Sequence, residues 1–466
     1  MQIHHRNLPR VVIVGGGFGG LAAARALRND KVRVTLIDRQ NHHLFQPLLY
    51  QVATAALSPA DIAEPLRHIV RKQENCEVLL ASVQSVDAAN KKVLTDGGEI
   101  PYDYLVLATG TRHSYFGHPE WEKFAPGLKS LDDALEIRRR MLLAFELAEK
   151  TTDDAERKAA MTFLIVGGGP TGVEMAGAIA EIAKETLLHD FRHIDSSHAR
   201  VILLDNSSQV LTSFGPELGE CARRQLFDIG VDVRLNSMVA AVAADGVTLK
   251  NGEHIAAHTI VWAAGNTASP LGASLGVPLD RAGRVIVEPD CRVPGHPEIF
   301  VIGDLANFAP DGGPPLPGLA PVAMQQGRHI AHNIRRLLAG GWTEPFEYFD
   351  KGSMATIGRY RAVADAGFLR FTGFPAWCAW LFIHLIFLVG YRSKIGVILS
   401  WGYTYLVFGR KARLITGRHE EPAPVQTSLV QPTPPVPAPI PTPSAPPPEP
   451  NVEKASRGTR RAKRAP

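Results

Sequence analysis

One local pattern constrains this chain of 466 residues more than any other, because it occurs twice. Residues 11–14 (VVIV) are apolar and β-branched, as a strand buried on both faces must be, and GGGFGG and the helical stretch LAAARALRN follow directly. A second apolar run, residues 32–37, ends on Asp38. Strand, glycine turn, helix, strand, acid is the grammar of a βαβ unit. It returns at residues 163–166, with GGGPTG, the helical VEMAGAIAEIAKE, the strand 201–204 and Asp205. An α/β protein with two doubly wound, Rossmann-like units is expected.

Three glycines in each turn answer three separate demands. In GxGxxG the first permits the tight turn and the second lets a pyrophosphate approach the backbone. The third lets the helix pack closely on the strand, with its N-terminus facing the phosphates. Gly15, Gly17 and Gly20 fill these positions in the first unit, and Gly167, Gly169 and Gly172 in the second. Asp38 lies 18 residues past Gly20, where a carboxylate can accept hydrogen bonds from a ribose diol. Asp205 lies 38 residues past Gly167, against 23 between Gly15 and Asp38, and an insertion around LLHDFRHIDSSHA accounts for the excess. Its His189, His193 and His198 lack a convincing acid or cysteine partner and read as exposed loop residues, so no metal site is expected. An acid at the ribose position with no arginine directly after it repels a 2′-phosphate, which favours NAD over NADP. LVLATGT and VWAAGN each put a small-small-glycine turn after a strand, adding Ala108, Thr109 and Gly110 to the first unit and Ala264 and Gly265 to the second. FVIGDLA places Asp304 at the end of a late strand.

Composition removes several alternatives. Apolar residues at 45% and charged residues at 21% suit a globular protein with a sizeable core, not a fibrous repeat or a polytopic membrane protein. Cys76, Cys221, Cys291 and Cys378 are scattered, which argues against a disulfide framework, a zinc site and an iron–sulfur cluster. Residues 451–466 hold six basic side chains against Glu453, so the formal charge of +4 belongs to the tail and the rest is near neutral. That gives no case for nucleic-acid binding by the folded part. Thirteen of the 35 prolines fall in residues 421–450, which read as an extended, solvated linker. The opening MQIHHRNLPR holds no apolar signal segment, so a start inside the cell is expected.

On these strings the chain resembles the two-dinucleotide-binding-domain flavoproteins, and within them the type II, non-proton-pumping NADH dehydrogenases. HLFQPLLYQVATAALSP (43–59), GGGPTGVEMAGAIAE (167–181), VIGDLA, LAPVAMQQG (319–327) and DKGSMATIGR (350–359) carry the resemblance. It implies an FAD-binding domain over residues 1–120 and 300–345, an NADH-binding domain over 121–299 and a membrane-associating region over 346–418. Residues 419–466 form the linker and tail. It implies electron transfer from NADH through FAD to a membrane quinone, ubiquinone or menaquinone, at the cytoplasmic face of the cell membrane, with the protein bound peripherally. For FAD it implies Gly15, Gly16, Gly17, Phe18, Gly19 and Gly20 at the phosphates and Asp38 with Arg39 at the adenosine. Val83 would lie at adenine, Ala108, Thr109, Gly110 and Asp304 along the flavin tail, and Ala320 with Pro321 beside the ring system. For NADH it implies Gly167, Gly169, Gly172, Asp205, Ala264 and Gly265, with Glu174 near the nicotinamide. A carboxylate in the first turns of a helix also complements its dipole, so Glu174 is open to that role, to nicotinamide positioning or to proton supply. For the quinone it implies Gln46, Pro321, Met324 and Gln325. One departure stands out: the family's Ala-Gln-x-Ala reads Ala320-Pro321-Val322-Ala323 here, exchanging an amide for a proline without side-chain polarity or N–H.

Two relatives of the same fold need cysteines this chain lacks in the required pattern: disulfide reductases a close redox pair, sulfide:quinone reductases thiols near the flavin. A flavin-bound redox sensor that binds NADH without turnover is the remaining alternative.

Residues 374–390 (FPAWCAWLFIHLIFLVG) are apolar on every face except at His384. As a helix they span roughly 25 Å, short of the ~30 Å hydrocarbon core. A second run, 395–408, aligns Gly396, Ser400 and Thr404, with Arg392 and Lys394 before it and Arg410, Lys411 and Arg413 after. A buried helix pair, a homodimer interface and a transmembrane segment are all open to such a sequence. Anchoring on an anionic leaflet is favoured, with Trp377, Trp380 and Trp401 at the interface and the cations at lipid phosphates. A quinone partitions into lipid, so its reductase needs a mouth at that surface.

Asp205 facing a 2′-phosphate is an unscreened like charge, so NADH should be preferred over NADPH by at least about tenfold in kcat/KM. Asp205→Ala should weaken NADH and relax the preference. Equal use of both nucleotides by the unaltered protein would overturn the assignment.

Overall fold

Both β-branched runs become central strands. Arg10–Val14 pairs in parallel with Arg33–Asp38 on one side and Tyr104–Leu107 on the other, and Val11, Val12, Ile13 and Val14 are all buried. A strand covered on both faces has to be apolar at every position, which is why it reads as a continuous run. The structure, a computed structural model, describes residues 8–367, 369–407 and 412–416. The side chains of Arg392 and Thr404, residues 408–411 with Arg410 and Lys411, and everything from 417 onward, the linker and basic tail included, lie outside the described residues.

The first sheet has six strands in the order Arg292–Val293, His296–Val301, Tyr104–Leu107, Arg10–Val14, Arg33–Asp38, Cys76–Leu80. The second has four, all parallel, in the order Val231–Arg234, Arg200–Leu204, Thr162–Val166, Thr259–Trp262. This is a mixed α/β fold with two Rossmann-type units. The insertion expected in the second follows Pro170–Glu181, which runs on into a π-helical turn, Ile182–Thr186, and then a loop. His189, His193 and His198 are exposed there.

The chain returns to the first sheet earlier than residue 300. Asn266–Ala268 pairs with Thr111–His113 in a two-stranded crossing between the units. Leu271, Leu275, Val285 and Val293 then pack with Val12, Val14 and Leu105. His296–Val301 must enter parallel to its neighbour, so the chain crosses over first and buries apolar side chains on the face it crosses.

The C-terminal region opens with an element that hydropathy did not reveal: an antiparallel sheet of Ser353–Gly358, Arg361–Asp365 and Arg370–Thr372. Two helices follow, Phe374–Phe387 and Tyr391–Val407. No helix among the described residues is long and apolar enough to cross a membrane. The tryptophans expected at a lipid interface face the protein instead. Trp377 is 7% exposed, Trp380 1% and Trp401 7%. Trp401 Nε1 donates to Gln51 Oε1 at 2.8 Å, and Trp380 meets Tyr50 edge-on. Indole combines a large apolar area with one N–H, and here the acceptor for the Trp401 N–H lies in the first unit, not in water. Facing outward are Phe374, Phe382, Ile386, Ile395, Ile398 and Leu399.

Ser353–Gly358 lies across Pro170–Glu181 at Gly177, where a β-carbon would stand 1.7 Å from the carbonyl oxygen of Ile357. Alanine there would gain roughly 1 kcal/mol of helix propensity, yet overpacking typically costs about 1–3 kcal/mol. The obstacle is backbone, which yields least. Gly177→Ala should therefore lower Tm in thermal denaturation; an unchanged or raised Tm would show that the strand moves away freely.

Candidate functional site

A cleft of about 1770 Å³ extends from the first glycine turn to the first C-terminal helix, Phe374–Phe387. At the turn, Gly15 has φ +105°, and a β-carbon on Gly20 would lie 1.9 Å from the carbonyl oxygen of Gly15. These two glycines make the bend and the packing possible. Gly17 is different: nothing lies within 4 Å of where its β-carbon would be. It precedes Phe18–Ala26 as an N-cap without a side-chain hydrogen bond, so the first-turn N–H groups are open to the cleft.

The second turn repeats the arrangement. Gly167 has φ +112°, a β-carbon on Gly172 would lie 1.8 Å from the Gly167 carbonyl oxygen, and Gly169 faces open space as the N-cap of Pro170–Glu181. The acids also correspond. Asp38 Oδ2 accepts the N–H of Gly16 at 2.5 Å, and Asp205 Oδ2 accepts the N–H of Gly168. Their other oxygens accept from Gln40 and Ser207, so each carboxylate is fixed above its glycine turn. Both turns have the open second glycine and uncapped helix start that a pyrophosphate needs.

Of the residues expected at FAD, turn residues 15–19, Asp38 with Arg39, Val83, residues 108–110, Asp304, and Ala320 with Pro321 all line the cleft. Gly20 is buried behind the turn. From the second unit Glu174 lines it with Pro170 and Thr171, whereas Gly167, Gly169, Gly172, Asp205, Ala264 and Gly265 lie outside its wall. Gln46, Pro321 and Met324 belong to the wall, and Gln325 does not. The Gln325 amide donates to the Phe349 carbonyl at 3.0 Å and accepts the Phe349 N–H at 3.1 Å. One residue on from Met324 turns a helix by about 100°, which aims this side chain at the 349 segment instead of the cleft. Pro321 sits in the first turn of Ala320–Leu338, where an N–H has no intrahelical partner, so the proline forfeits no helix bond.

Glu174 is half-buried, and burial pushes its pKa up to about 8 against the pull of a hydrogen bond from the backbone of Thr356. At pH 7 it is mostly a neutral carboxylic acid.

Comparison with known proteins agrees with this geometry. Residues 9–327 match the family described as pyridine nucleotide-disulphide oxidoreductase. The chain is 48% identical over 422 residues to the type II NADH:quinone oxidoreductase Ndh of Mycobacterium tuberculosis, covering 87% of this chain and 90% of that one. The type II NADH:quinone oxidoreductase NdhA of the same organism is 49% identical over 426 residues, covering 88% of this chain and 90% of that one. The chain belongs to the type II NADH:quinone oxidoreductases. A structure of NDH2 from Plasmodium falciparum in complex with NADH shares the fold, with a TM-score of 0.80 at 19% identity over 88% of this chain and 100% of that one.

Several residues of the cleft escaped the sequence reading. Lys129 Nζ donates to Thr111 Oγ1 at 2.8 Å, and Thr111 Oγ1 donates to Asp304 Oδ2 at 3.3 Å. Burial pushes the Lys129 pKa down, while Asp304 and Asp133 oppose the shift. Behind the wall, Gln326, 1% exposed, accepts the N–H of Gly303 at 2.7 Å and so fixes the turn that presents Asp304. Lys351 holds its ammonium 5.6 Å from the Phe387 ring centre. Thr111, Gln326 and Lys351 lie within strings quoted above, but the contacts of these residues are legible only once separate segments meet. His384 also lines the cleft, and its isolation in an apolar run was a usable signal.

Proposed function

We propose that this protein takes a hydride from NADH onto FAD and passes two electrons to a membrane quinone, without pumping protons. The observation that carries the reading is the continuity of the cleft, which joins the first glycine turn, Glu174 and the helix Phe374–Phe387. Residues 15–20 would hold the FAD pyrophosphate, Asp38 and Arg39 its adenosine ribose, and Val83 its adenine. Residues 108–110 and Asp304 would hold its tail, and Ala320 with Pro321 would flank its ring. The second turn, with Gly167, Gly169 and Gly172, would hold the NADH pyrophosphate, with Asp205 at the ribose and Ala264 and Gly265 alongside. When bound, the flavin supplies the two-electron chemistry that links nicotinamide to quinone. The FAD domain would take in residues 1–120 and, by packing, resume near residue 268.

The chain's own work is placement, dryness and protons. First-turn N–H groups offset phosphate charge, and the Lys129–Thr111–Asp304 chain keeps a carboxylate ordered beside the cleft. A quinone becomes a quinol by taking two electrons and two protons, and Glu174 can hold one of those protons at neutral pH. Thr356 orients it. Gln46, Pro321 and Met324 would border the acceptor, while Gln325 fastens the 349 segment.

FAD-loaded protein should oxidise NADH with a soluble quinone; binding of both nucleotides without turnover would make it a sensor instead. A carboxyl with a raised pKa keeps its proton below that value and loses it above. Turnover should therefore fall as pH rises through about 8, if the protonated acid is the working form. Glu174→Gln stays neutral throughout. It should abolish that limb and lower kcat by about a hundredfold, with NADH binding retained. The same limb persisting in Glu174→Gln would place the proton elsewhere.

The outward face of Phe374, Phe382, Ile386, Ile395, Ile398 and Leu399 supports peripheral attachment to the cytoplasmic face of the cell membrane. A homodimer built on this face would compete with lipid for it. Each side chain is worth about 1.5–3 kcal/mol when fully buried. Replacing Phe382, Ile386 and Leu399 together with serine should cut flotation with anionic vesicles at least about tenfold. Ending the chain after residue 418 should leave most of it. The reverse outcome would make the tail the anchor.

A further inference from the structure

His384 is the polar exception in an apolar helix, and the function proposed above gives it no role. Its Nδ1 lies 2.7 Å from the carbonyl oxygen of Trp380, one helical turn back. A carbonyl can only accept, so Nδ1 carries the proton of the neutral ring and Nε2 is left with a lone pair. The ring is held firmly. Trp380 stacks on it with centroids 4.1 Å apart at 27°, and Phe45 meets it edge-on at 6.2 Å. Trp380 is itself 1% exposed and packs against Tyr50 and Trp401. A ring flip would turn a carbon towards the Trp380 carbonyl and forfeit the hydrogen bond. Burial pushes the pKa down to about 4, so the ring stays neutral at working pH and is no acid there. Among the described residues, Lys351 holds its ammonium over Phe387, and Lys394 Nζ donates to the Ile386 carbonyl.

The chemistry of the two redox forms of the acceptor follows from this. A quinone offers carbonyl oxygens, which are acceptors only and meet a lone pair unfavourably. A quinol offers hydroxyl groups, which donate. Ile383, His384 and Phe387, all in the cleft wall, give an apolar wall with one acceptor in it. We propose that His384 Nε2 is a quinol-selective binding group, accepting a hydrogen bond from a hydroxyl of the reduced product and contributing nothing to the binding of the quinone. The assignment rests on the quinone-reductase reading of the cleft. It makes His384 a determinant of product retention, not of the chemical step.

The experiment compares the unaltered holoenzyme with His384→Phe, which keeps an aromatic ring for the stack and removes the acceptor. Measured anaerobically with one soluble quinone, the inhibition constant of its quinol should rise about three- to tenfold, the worth of one hydrogen bond. The quinone KM should change less than about twofold, and stopped-flow reduction of the flavin by NADH should not change. A merely structural role would move KM and the quinol constant together, and that result would overturn the proposal. Should the variant fail to fold, the unaltered enzyme still decides: the quinol should inhibit at least about threefold more tightly than its dimethyl ether, which has no hydroxyl to donate. Equal inhibition by the two would overturn the assignment. Absence of quinone reduction by the unaltered holoenzyme would instead overturn the function proposed above.

Discussion

Backbone approach too close for a β-carbon is the constraint on which the rest of this structure depends. It occurs where Gly20 meets Gly15, where Gly172 meets Gly167 and where Gly177 meets Ile357. The first two seat a helix against its strand, leaving Gly17 and Gly169 at open helix starts that favour anions. The third presses the C-terminal sheet onto the helix that carries Glu174, three residues earlier on the same element. The same strand carries Thr356, whose backbone hydrogen-bonds the carboxyl, and burial there pushes the carboxyl pKa up. A glycine without a chemical group thereby lets the strand that carries Thr356 lie against the helix that carries Glu174.

Much of this was legible in the residues because the constraints are local. A strand buried on both faces has to be an apolar run, a tight turn requires glycine at positive φ, and the acid that closes the turn ends the next strand. Those demands act within about 40 residues in each unit, so Gly15, Gly17, Gly20 and Asp38, and their counterparts around Gly167, could be read in order. The C-terminal sheet was not legible. Its strands are short and rich in small residues, and its partner, Pro170–Glu181, lies far away in sequence. The direction of Gln325 was hidden too, because helix phase relative to Phe349 is a tertiary fact. The early return near residue 268 follows from a crossover that periodicity does not record.

The tryptophans show why composition alone misplaces a surface. Trp377, Trp380 and Trp401 suit a membrane interface by type, but the same combination of large area and one N–H suits docking onto a protein wall. Hydropathy treats lipid and protein core alike; hydrogen-bond partners separate them. Gln51 accepts from Trp401, and Trp380 meets Tyr50 edge-on, so the aromatic side of the helices is committed to the body of the enzyme.

A helix apolar all round needs apolar partners all round, and here protein covers only one side. Phe374–Phe387 therefore faces three environments at once: the core through Trp380, the cleft through Ile383, His384 and Phe387, and the outside through Phe382 and Ile386. That division has a consequence for how an acceptor reaches the flavin side. On the membrane attachment proposed above, a lipid-soluble acceptor leaving the outer face would meet the cleft wall on the same helix. On that proposal, attachment and access are one property of one element. A substitution that tilts this helix should disturb both, whereas one that alters only the tail should disturb neither.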